Sequence, residues 1–320
     1  MDNITFSVLL PNYNHRAFIT RALDALVAQS KQADEILIID DCSTDDSVSL
    51  IEGYRDRLPQ LQLIRNTENV GVNRSTNRLL DIARSSHVVC TAADDWLEPQ
   101  FIARMSDALS RFSHACVCVS AFVEWHDETG MISPEPTSSE RGCWFATDGP
   151  RYFTAAELRD LLDKRFVWLP VNGAVFNRAA LREVGGFDPA LKWHADWFTM
   201  YTLALRQGFA VVPEPLAVFR VAASTYSGRG MLDPISERQV ALAIYDKLCE
   251  PEFRDIYEAL RRHPVALTTF FRQLVIGLAG RPGDWSYLAA LLKWWIGEVM
   301  HGRRPEALRD FLSAWTKIRS

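Results

Sequence analysis

Thr91-Ala92-Ala93-Asp94-Asp95-Trp96 sets two adjacent carboxylates directly after a short apolar run, Val88-Val89-Cys90, and just before Leu97-Glu98-Pro99. The apolar run reads as a buried strand. Pro99 suits the first turn of a helix, where its missing N–H leaves nothing unsatisfied. The two carboxylates are therefore expected where a strand ends, and in an open α/β sheet that edge is where ligands bind. Neighbouring Asp side chains repel each other unless water, a cation or a cationic side chain screens them. A solvated turn is one reading of this stretch and a divalent cation site is the other.

The same alternation recurs upstream. Ile4 to Leu10 reads as a strand that ends in the polar turn Pro11-Asn12-Tyr13-Asn14, and Phe18, Ala22, Ala25 and Leu26 then recur at helical spacing. Glu35 to Ile39 reads as a second strand ending in Asp40-Asp41. Ser43 and Thr44 are expected to cap the next helix, with Asp45 and Asp46 at its positive end. Leu61 to Ile64 is a third strand, Asn69-Val70-Gly71 a turn, and Arg74 to Ala83 a helix. Strands thus return at intervals of roughly 30 residues, the length of a βαβ unit. Right-handed units of this kind build a parallel sheet. They would bring Pro11-Asn14, Asp40-Asp41 and Asp94-Asp95 to one carboxyl edge.

Bulk properties narrow the function. The chain has 320 residues, 48% hydrophobic and 23% charged, as a globular protein does. A formal net charge of −5 offers no dedicated nucleic-acid surface. The charge is uneven: residues 235–320 hold 13 Lys/Arg against 10 Asp/Glu, so the acidic excess lies earlier. The N-terminus shows no basic segment followed by an apolar core, so no signal peptide is expected. No run reaches the roughly 18 apolar residues of a spanning helix. Six scattered cysteines without paired CxxC motifs argue against zinc and for buried thiols in a reducing cytoplasm, with Cys116 and Cys118 on one strand face. The sheet edge carries neither GxGxxG nor GxxxxGK[ST]. A nucleotide diphosphate bound there would find no glycine cradle and no P-loop Lys, so a divalent metal on Asp95 is the expected counter-charge.

Five motifs in order resemble those of family 2 glycosyltransferases of the GT-A fold, over roughly residues 4–227. They are Val8-Leu9-Leu10-Pro11-Asn12-Tyr13-Asn14 with Ala25-Leu26-Val27-Ala28-Gln29-Ser30; Glu35 through Asp45, which contains Asp40-Asp41-Cys42-Ser43; Asn69-Val70-Gly71; Ala93-Asp94-Asp95; and Gly185-Gly186-Phe187-Asp188 followed by Ala195-Asp196-Trp197. The resemblance implies an α/β, Rossmann-like, mostly parallel sheet flanked by helices, with an α-helical C-terminal extension. The expected boundaries are a GT-A domain over 1–230, with a nucleotide half to about 123 and an acceptor half over about 124–230, and a helical region over 231–320.

The resemblance also implies an activity: an inverting transfer of a hexosyl or N-acetylhexosaminyl group from a nucleotide-sugar, expected to be UDP-linked. The acceptor would be a hydroxyl of a glycan or lipid-linked chain in bacterial surface polysaccharide synthesis. Pro11, Asn12, Tyr13 and Asp41 would border the base, with Asp41 accepting from the uracil imide N–H. Asp94 would hold the ribose or sugar, and Asp95 would ligate Mn²⁺ or Mg²⁺ on the diphosphate. Arg74 or Arg78 would contact that diphosphate, and Asp196 would be the general base. Asn172, Gly173, His194, Trp197 and Arg220 are expected donor-sugar or acceptor contacts, as is a close backbone approach at Gly185-Gly186.

Several positions depart from the family pattern. Ala92 stands where a first metal-site Asp is usual, Thr76-Asn77 where Arg-Asn is frequent, and Ala195 where Glu is frequent. Ala222 and Ala223 occupy the region of a common His. Ala92 motivates a rival reading, a non-catalytic sugar-nucleotide-binding module. A nucleotidyltransferase is a further rival, but it would need a glycine-rich basic loop near the first strand, and Pro11-Asn14 is not one.

The remainder is expected to serve the acceptor side and the surface. Residues 125–149 read as a polar loop, either a lid or an ordinary insertion. Thr154-Ala155-Ala156-Glu157 is a capping box opening a helix to about Lys164, and Val167 to Phe176 reads as a strand. Asp233-Pro234 opens a helix to about Cys249. Val265 to Ala279 and Trp285 to Met300 follow as helices, parted by a turn at Arg281-Pro282-Gly283-Asp284. Trp285, Trp294, Trp295 and the basic Arg281, Lys293, Arg303 and Arg304 fit contact with an anionic membrane through 265–304. The rival is a helical hairpin packed on the catalytic domain or on a second copy. A cytoplasmic protein, peripheral on the inner membrane face, is the expected location.

Overall fold

The computed structural model describes residues 4–132 and 147–300, which form two compact units. Of the described residues, the first holds those within 1–158 and 168–225, and the second those within 159–167 and 226–320. Most of the loop expected as a lid, and Arg303 and Arg304, lie outside the described residues.

The first unit is built on one sheet. Strands β1 (Phe6–Asn12), β2 (Glu35–Asp40), β3 (Leu61–Arg65) and β4 (His87–Cys90) pair in parallel in the order β3-β2-β1-β4. Every residue of β2 and β4 is buried. This is the physical meaning of their unbroken apolar runs, since helices cover both faces of a parallel sheet. Helices α1 (Ile19–Val27), α2 (Ser47–Glu52) and α3 (Val72–Ile82) connect them.

Beyond β4 the sheet becomes mixed. After β4 comes a short strand, β5 (Trp96–Leu97), and helix α4 (Phe101–Arg111). Strands β6 (Val117–His126), β7 (Met131–Ile132), β8 (Arg151–Phe153), β9 (Ala174–Asn177) and β10 (Phe209–Val221) complete it. Strand β9 runs antiparallel to both β4 and β6, while β10 runs parallel to β6. The register of β10 shifts between Val212 and Ala217, around Pro213 and Pro215, the bulge that prolines in a paired strand require. The core gathers Val8, Leu10, Ile38, Phe101, Met105, Cys118 and Val212, none more than 1% exposed.

Four local expectations change. Ser43 and Thr44 do not cap α2, which starts at Ser47 without a side-chain cap. Pro99 does not open a helix: Trp96 and Leu97 pair with Val218 and Ala217, and α4 begins at Phe101. Of the expected 167–176 strand only Ala174, Val175 and Phe176 are extended within the sheet, in β9. Cys116 and Cys118 do not share one neighbourhood, since Cys116 Sγ donates to the Gly208 carbonyl (3.1 Å) and Cys118 Sγ meets Met105 Sδ (3.9 Å). Burial pushes both thiols up to about 12. The capping box forms as read: Thr154 and Glu157 exchange side-chain-to-backbone bonds of 3.2 and 2.9 Å at the start of α5 (Ala155–Leu162). Helices α6 (Arg178–Glu183) and α7 (Ala195–Gln207) complete the unit.

The second unit is helical: α8 (Tyr226–Leu232), α9 (Pro234–Leu248), α10 (Arg254–Arg262), α11 (Phe271–Ala279) and α12 (Trp285–Met300). Asp233 caps α9 by accepting from the Ile235 N–H, with Pro234 in the first turn. The expected 265–279 helix divides into a 3₁₀ segment, Pro264–Phe270, and α11. On α12, Tyr287, Leu291 and Trp295 are buried, while Trp285, Lys293, Ile296 and Met300 are exposed.

Candidate active site

Strand direction assembles the site. Parallel β1, β2 and β4 end on one edge. Two reversals, β4 to β9 and β9 to β6, return β6 and β10 to the same direction. The residues after β1, β2 and β4, the ends of β6 and β10, and Asn172-Gly173 before β9 therefore converge.

The first cluster follows β1 and β2. Asn12 is buried and turned inward: its Nδ2 donates to Asp40 Oδ1 (2.8 Å), Ser47 Oγ (3.0 Å) and Ser43 Oγ (3.2 Å). Ser43 is thus spent on holding the two strand ends together, which is why it does not cap α2. Asp41 is also buried, accepting from Asn66 Nδ2 (2.7 Å), the Val70 N–H (3.0 Å) and the Gly71 N–H (2.8 Å). It fixes the Asn69-Val70-Gly71 turn against the edge. Asn14 and Cys42 both adopt left-handed backbone, with φ of 56° and 67°, so both loops leave their strands abruptly. Tyr13 is 43% exposed and presents its ring at the edge. Arg74 is exposed and among the described residues its guanidinium donates only to the Val70 carbonyl (3.3 Å), whereas Arg78 donates to Asn66 Oδ1.

The second cluster is built around Asp94 and Asp95. Asp95 is 6% exposed; its Oδ1 accepts from the Arg220 main-chain N–H (2.7 Å) and its Oδ2 from Asn172 Nδ2. Burial, then the neighbouring Asp94 charge, raises the Asp95 carboxyl well above the usual range, and Arg220 offsets part of this. The Arg220 guanidinium lies 3.3 Å from Asp94 Oδ2, 2.5 Å from Asp127 Oδ2 and 3.9 Å above the Phe18 ring. Its side chain is only 8% exposed. A cationic side chain is thus the screen that two adjacent carboxylates demand, and Arg220 is an internal partner of the site more than an open contact. Arg21 lies between Trp96 and Trp125, 4.7 and 4.5 Å from their rings, and walls the same corner.

The donor set can be weighed against a divalent cation. Among the described residues no three His, Cys, Asp or Glu converge on a metal position. Two adjacent carboxylates nevertheless fit Mg²⁺ or Mn²⁺, which fill the rest of their shell with phosphate oxygens and water. The buried Asp95 carboxyl, raised by burial and by the Asp94 charge beside it, also marks a place where added positive charge is favourable.

The third cluster approaches from the chain segment 185–197. Asn77 on α3 clamps Phe187, accepting from its N–H (2.9 Å) and donating to its carbonyl (2.8 Å). Asn73 donates to the Lys192 carbonyl (2.7 Å), where φ is 48°. Gly186 (φ 69°) owes its lack of a side chain to this clamp: a Cβ would lie 2.4 Å from Asn77 Oδ1. The close approach at Gly186, expected toward a ligand, is therefore to Asn77, while a Cβ at Gly185 would meet open space. Asp196 sits in the first turn of α7, its Oδ1 accepting from the Trp197 N–H (2.7 Å). Burial raises its carboxyl above the ordinary value, against the opposing pull of His194 and that N–H.

Two expected sugar contacts are packing residues. Trp197 is 8% exposed with its ring 4.7 Å from Tyr201. Gly173 (φ 75°) admits the Ala217 side chain, which a Cβ would meet at 2.6 Å. His194 is buried beside Trp193. Asn66, Asn73 and Asp127 were not singled out in the sequence; isolated polar residues in loops and first turns carry no spacing signal.

Comparison with known proteins agrees with this architecture. The family model described as Glycosyl transferase family 2 matches residues 7–185. Uncharacterized protein MT1568 of Mycobacterium tuberculosis (strain CDC 1551 / Oshkosh) is 27% identical over 317 residues, covering 95% of this chain and 94% of that protein. Poly(ribitol-phosphate) beta-N-acetylglucosaminyltransferase TarS of Staphylococcus aureus (strain Mu50 / ATCC 700699) is 32% identical over 97 residues, 30% of this chain and 17% of that protein. A crystal structure of S. aureus TarS 1-349 in complex with UDP-GlcNAc superposes with a TM-score of 0.61 at 19% identity, covering 90% of this chain and 80% of the other.

Proposed function

Because the chain belongs to glycosyl transferase family 2, we propose that it transfers a hexosyl or N-acetylhexosaminyl group from a UDP-sugar to a hydroxyl of a glycan or lipid-linked acceptor, with inversion. The observation that carries this reading is the convergence of the Asp94, Asp95 and Arg220 cluster with the Tyr13 and Asp41 loops on one carboxyl edge. The likeness to a protein named for N-acetylglucosaminyl transfer, of which a crystal structure is a complex with UDP-GlcNAc, supports a UDP-linked donor.

In this reading the exposed Tyr13 ring stacks on the base, while Asp41 holds the loop that borders it and Arg74 faces the diphosphate. Asp94 and Asp95 would hold a divalent cation, Mg²⁺ or Mn²⁺, which when bound supplies positive charge against the departing diphosphate. Arg220 keeps the carboxylate pair from repelling itself apart. Asp196 takes the proton from the attacking acceptor hydroxyl, and its raised affinity for that proton makes it a stronger base than an ordinary Asp. Attack opposite the leaving nucleoside diphosphate inverts the anomeric centre.

The second unit supports a surface role. No helix of the described residues is long and apolar enough to cross a membrane. The exposed Trp285, Lys293, Ile296 and Met300 on α12 are what a peripheral contact through 265–304 would use, and the same face would serve a second copy in a homo-oligomer.

The test is release of nucleoside diphosphate from a panel of UDP-, GDP- and dTDP-sugars, with Mn²⁺ or EDTA, for the wild type and Asp196→Asn. One UDP-sugar turned over, and a loss of roughly 10²–10⁴-fold in transfer to acceptor on removing the base, is the expected result. Turnover undiminished in Asp196→Asn would remove that residue from the mechanism.

A further inference from the structure

The second unit contains a cavity of about 480 Å³ lined by Pro234, Arg238, Arg272, Gln273, Ile276, Ala279 and Gly280. Its volume falls in the range of small-molecule sites. The wall residues recur at helical spacing: Pro234 and Arg238 on α9, and Arg272 or Gln273, Ile276 and Ala279 on α11. A close contact sets the two walls, because a Cβ at Gly277 would lie 2.7 Å from Leu242 Cδ2. The cavity is therefore a consequence of how these helices pack.

Its chemistry is one-sided. Two guanidinium groups line it and no carboxylate does. Among the described residues neither Arg238 nor Arg272 has an ion-pair partner, in contrast to Arg254 and Arg281 of the same unit, which bind Glu258 and Asp246. Arg238 Nε and Gln273 Oε1 are both buried without a hydrogen-bond partner. Buried polar groups left unsatisfied are costly, so native structures pair them. Two forked guanidiniums match the oxygens of a phosphate, as they do those of a carboxylate, and a carboxamide serves either a phosphate oxygen or a neighbouring hydroxyl according to its rotation. The rest of the lining is apolar, and Met231, Leu232 and Ile235, which flank Pro234 in sequence, are 49%, 71% and 68% exposed. A cationic recess beside exposed apolar side chains matches an amphiphile whose head carries phosphate.

We infer that this cavity binds the phosphate of a lipid head group, with Arg238 and Arg272 as its ligands and Leu232 and Ile235 against the acyl boundary. The inference stands apart from the sugar-transfer reading, since its readout is binding and involves no nucleotide. The experiment is co-sedimentation of the full chain with phosphatidylcholine vesicles with and without phosphatidylglycerol, beside calorimetric titration with inorganic phosphate. The expected result is preferential binding to the phosphatidylglycerol vesicles. An Arg238→Gln/Arg272→Gln variant should bind them roughly tenfold or more weakly, the worth of lost charge-assisted contacts. Ala279→Trp, which fills the recess and keeps both charges, should weaken binding as well and separates the cavity from general surface charge. Circular dichroism melts establish that both variants are folded. Equal vesicle binding by the wild type and both variants would overturn the inference. So would binding of inorganic phosphate with no binding of vesicles, which would make the source a free phosphate and not a lipid.

Discussion

Asp95 is the residue at which the sequence pattern and the folded environment conflict most. It is buried, next to another carboxylate, and its carboxyl is raised well above the usual range by burial and then by Asp94. Folding therefore favours the protonated form. That contribution to stability is complete below the unfolded value near 3.9 and is lost as pH rises through the higher folded value. At neutral pH without added cation, Asp95→Asn should be more stable than the wild type in thermal melts, and the difference should shrink as the pH is lowered toward 4. A variant that is less stable at pH 7 and gains nothing there relative to pH 4 would show that Arg220 and Asn172 fully compensate the charge. The doublet and its place at a strand end were legible in the sequence, because adjacency and strand position are local. Its partners were not. Arg220 lies 125 residues further on, and only the reversals of β9 and β6 bring it to the Asp95 carboxylate.

At the scale of elements, the apolar runs of β1, β2 and β4 predicted the parallel half of the sheet because a strand buried on both faces needs no alternation, while β3 at the sheet edge leaves Gln62 and Arg65 exposed. Strand β10 escaped the same reading: Pro213-Glu214-Pro215 interrupts its apolar pattern, and the bulge that accommodates them is visible only in the pairing with β6. The caps divided in the same way. Thr154 and Glu157 formed the expected box because the Arg151 ion pair takes only the other Glu157 oxygen, whereas Ser43 is drawn to Asn12 and the Asn14 N–H. The segment leading to Asp196 is held by α3 through Asn77 and Asn73. This hold is testable with two adjacent glycines. Gly185→Ala meets open space and should cost only the left-handed penalty, on the order of 1–2 kcal/mol in urea denaturation. Gly186→Ala adds a collision with the Asn77 amide and should cost ~2 kcal/mol more. Equal losses at the two positions would mean that Asn77 gives way freely and does not position the segment.

For the whole molecule, the family and its α/β architecture were accessible from five short motifs, since each sits at a strand end or turn whose chemistry is local. The division of labour within the site was less accessible. Asn12 and Trp197 look like ligand contacts in the sequence and are turned inward in the fold. Side-chain direction at a loop depends on neighbours that arrive from elsewhere in the chain. The second unit was read as helical from Asp233-Pro234 onward, but the recess between α9 and α11 depends on a glycine facing Leu242 that no periodicity marks. The central claim is that the carboxyl edge of the first unit holds a uridine nucleotide against the exposed Tyr13 ring. Calorimetric titration of the full chain with UDP in Mn²⁺, beside Tyr13→Ala, tests it most directly. The account predicts binding by the wild type and a loss of roughly tenfold in the variant, the worth of one base stacked on an aromatic ring. No UDP binding by the wild type, or equal binding by Tyr13→Ala, would contradict it.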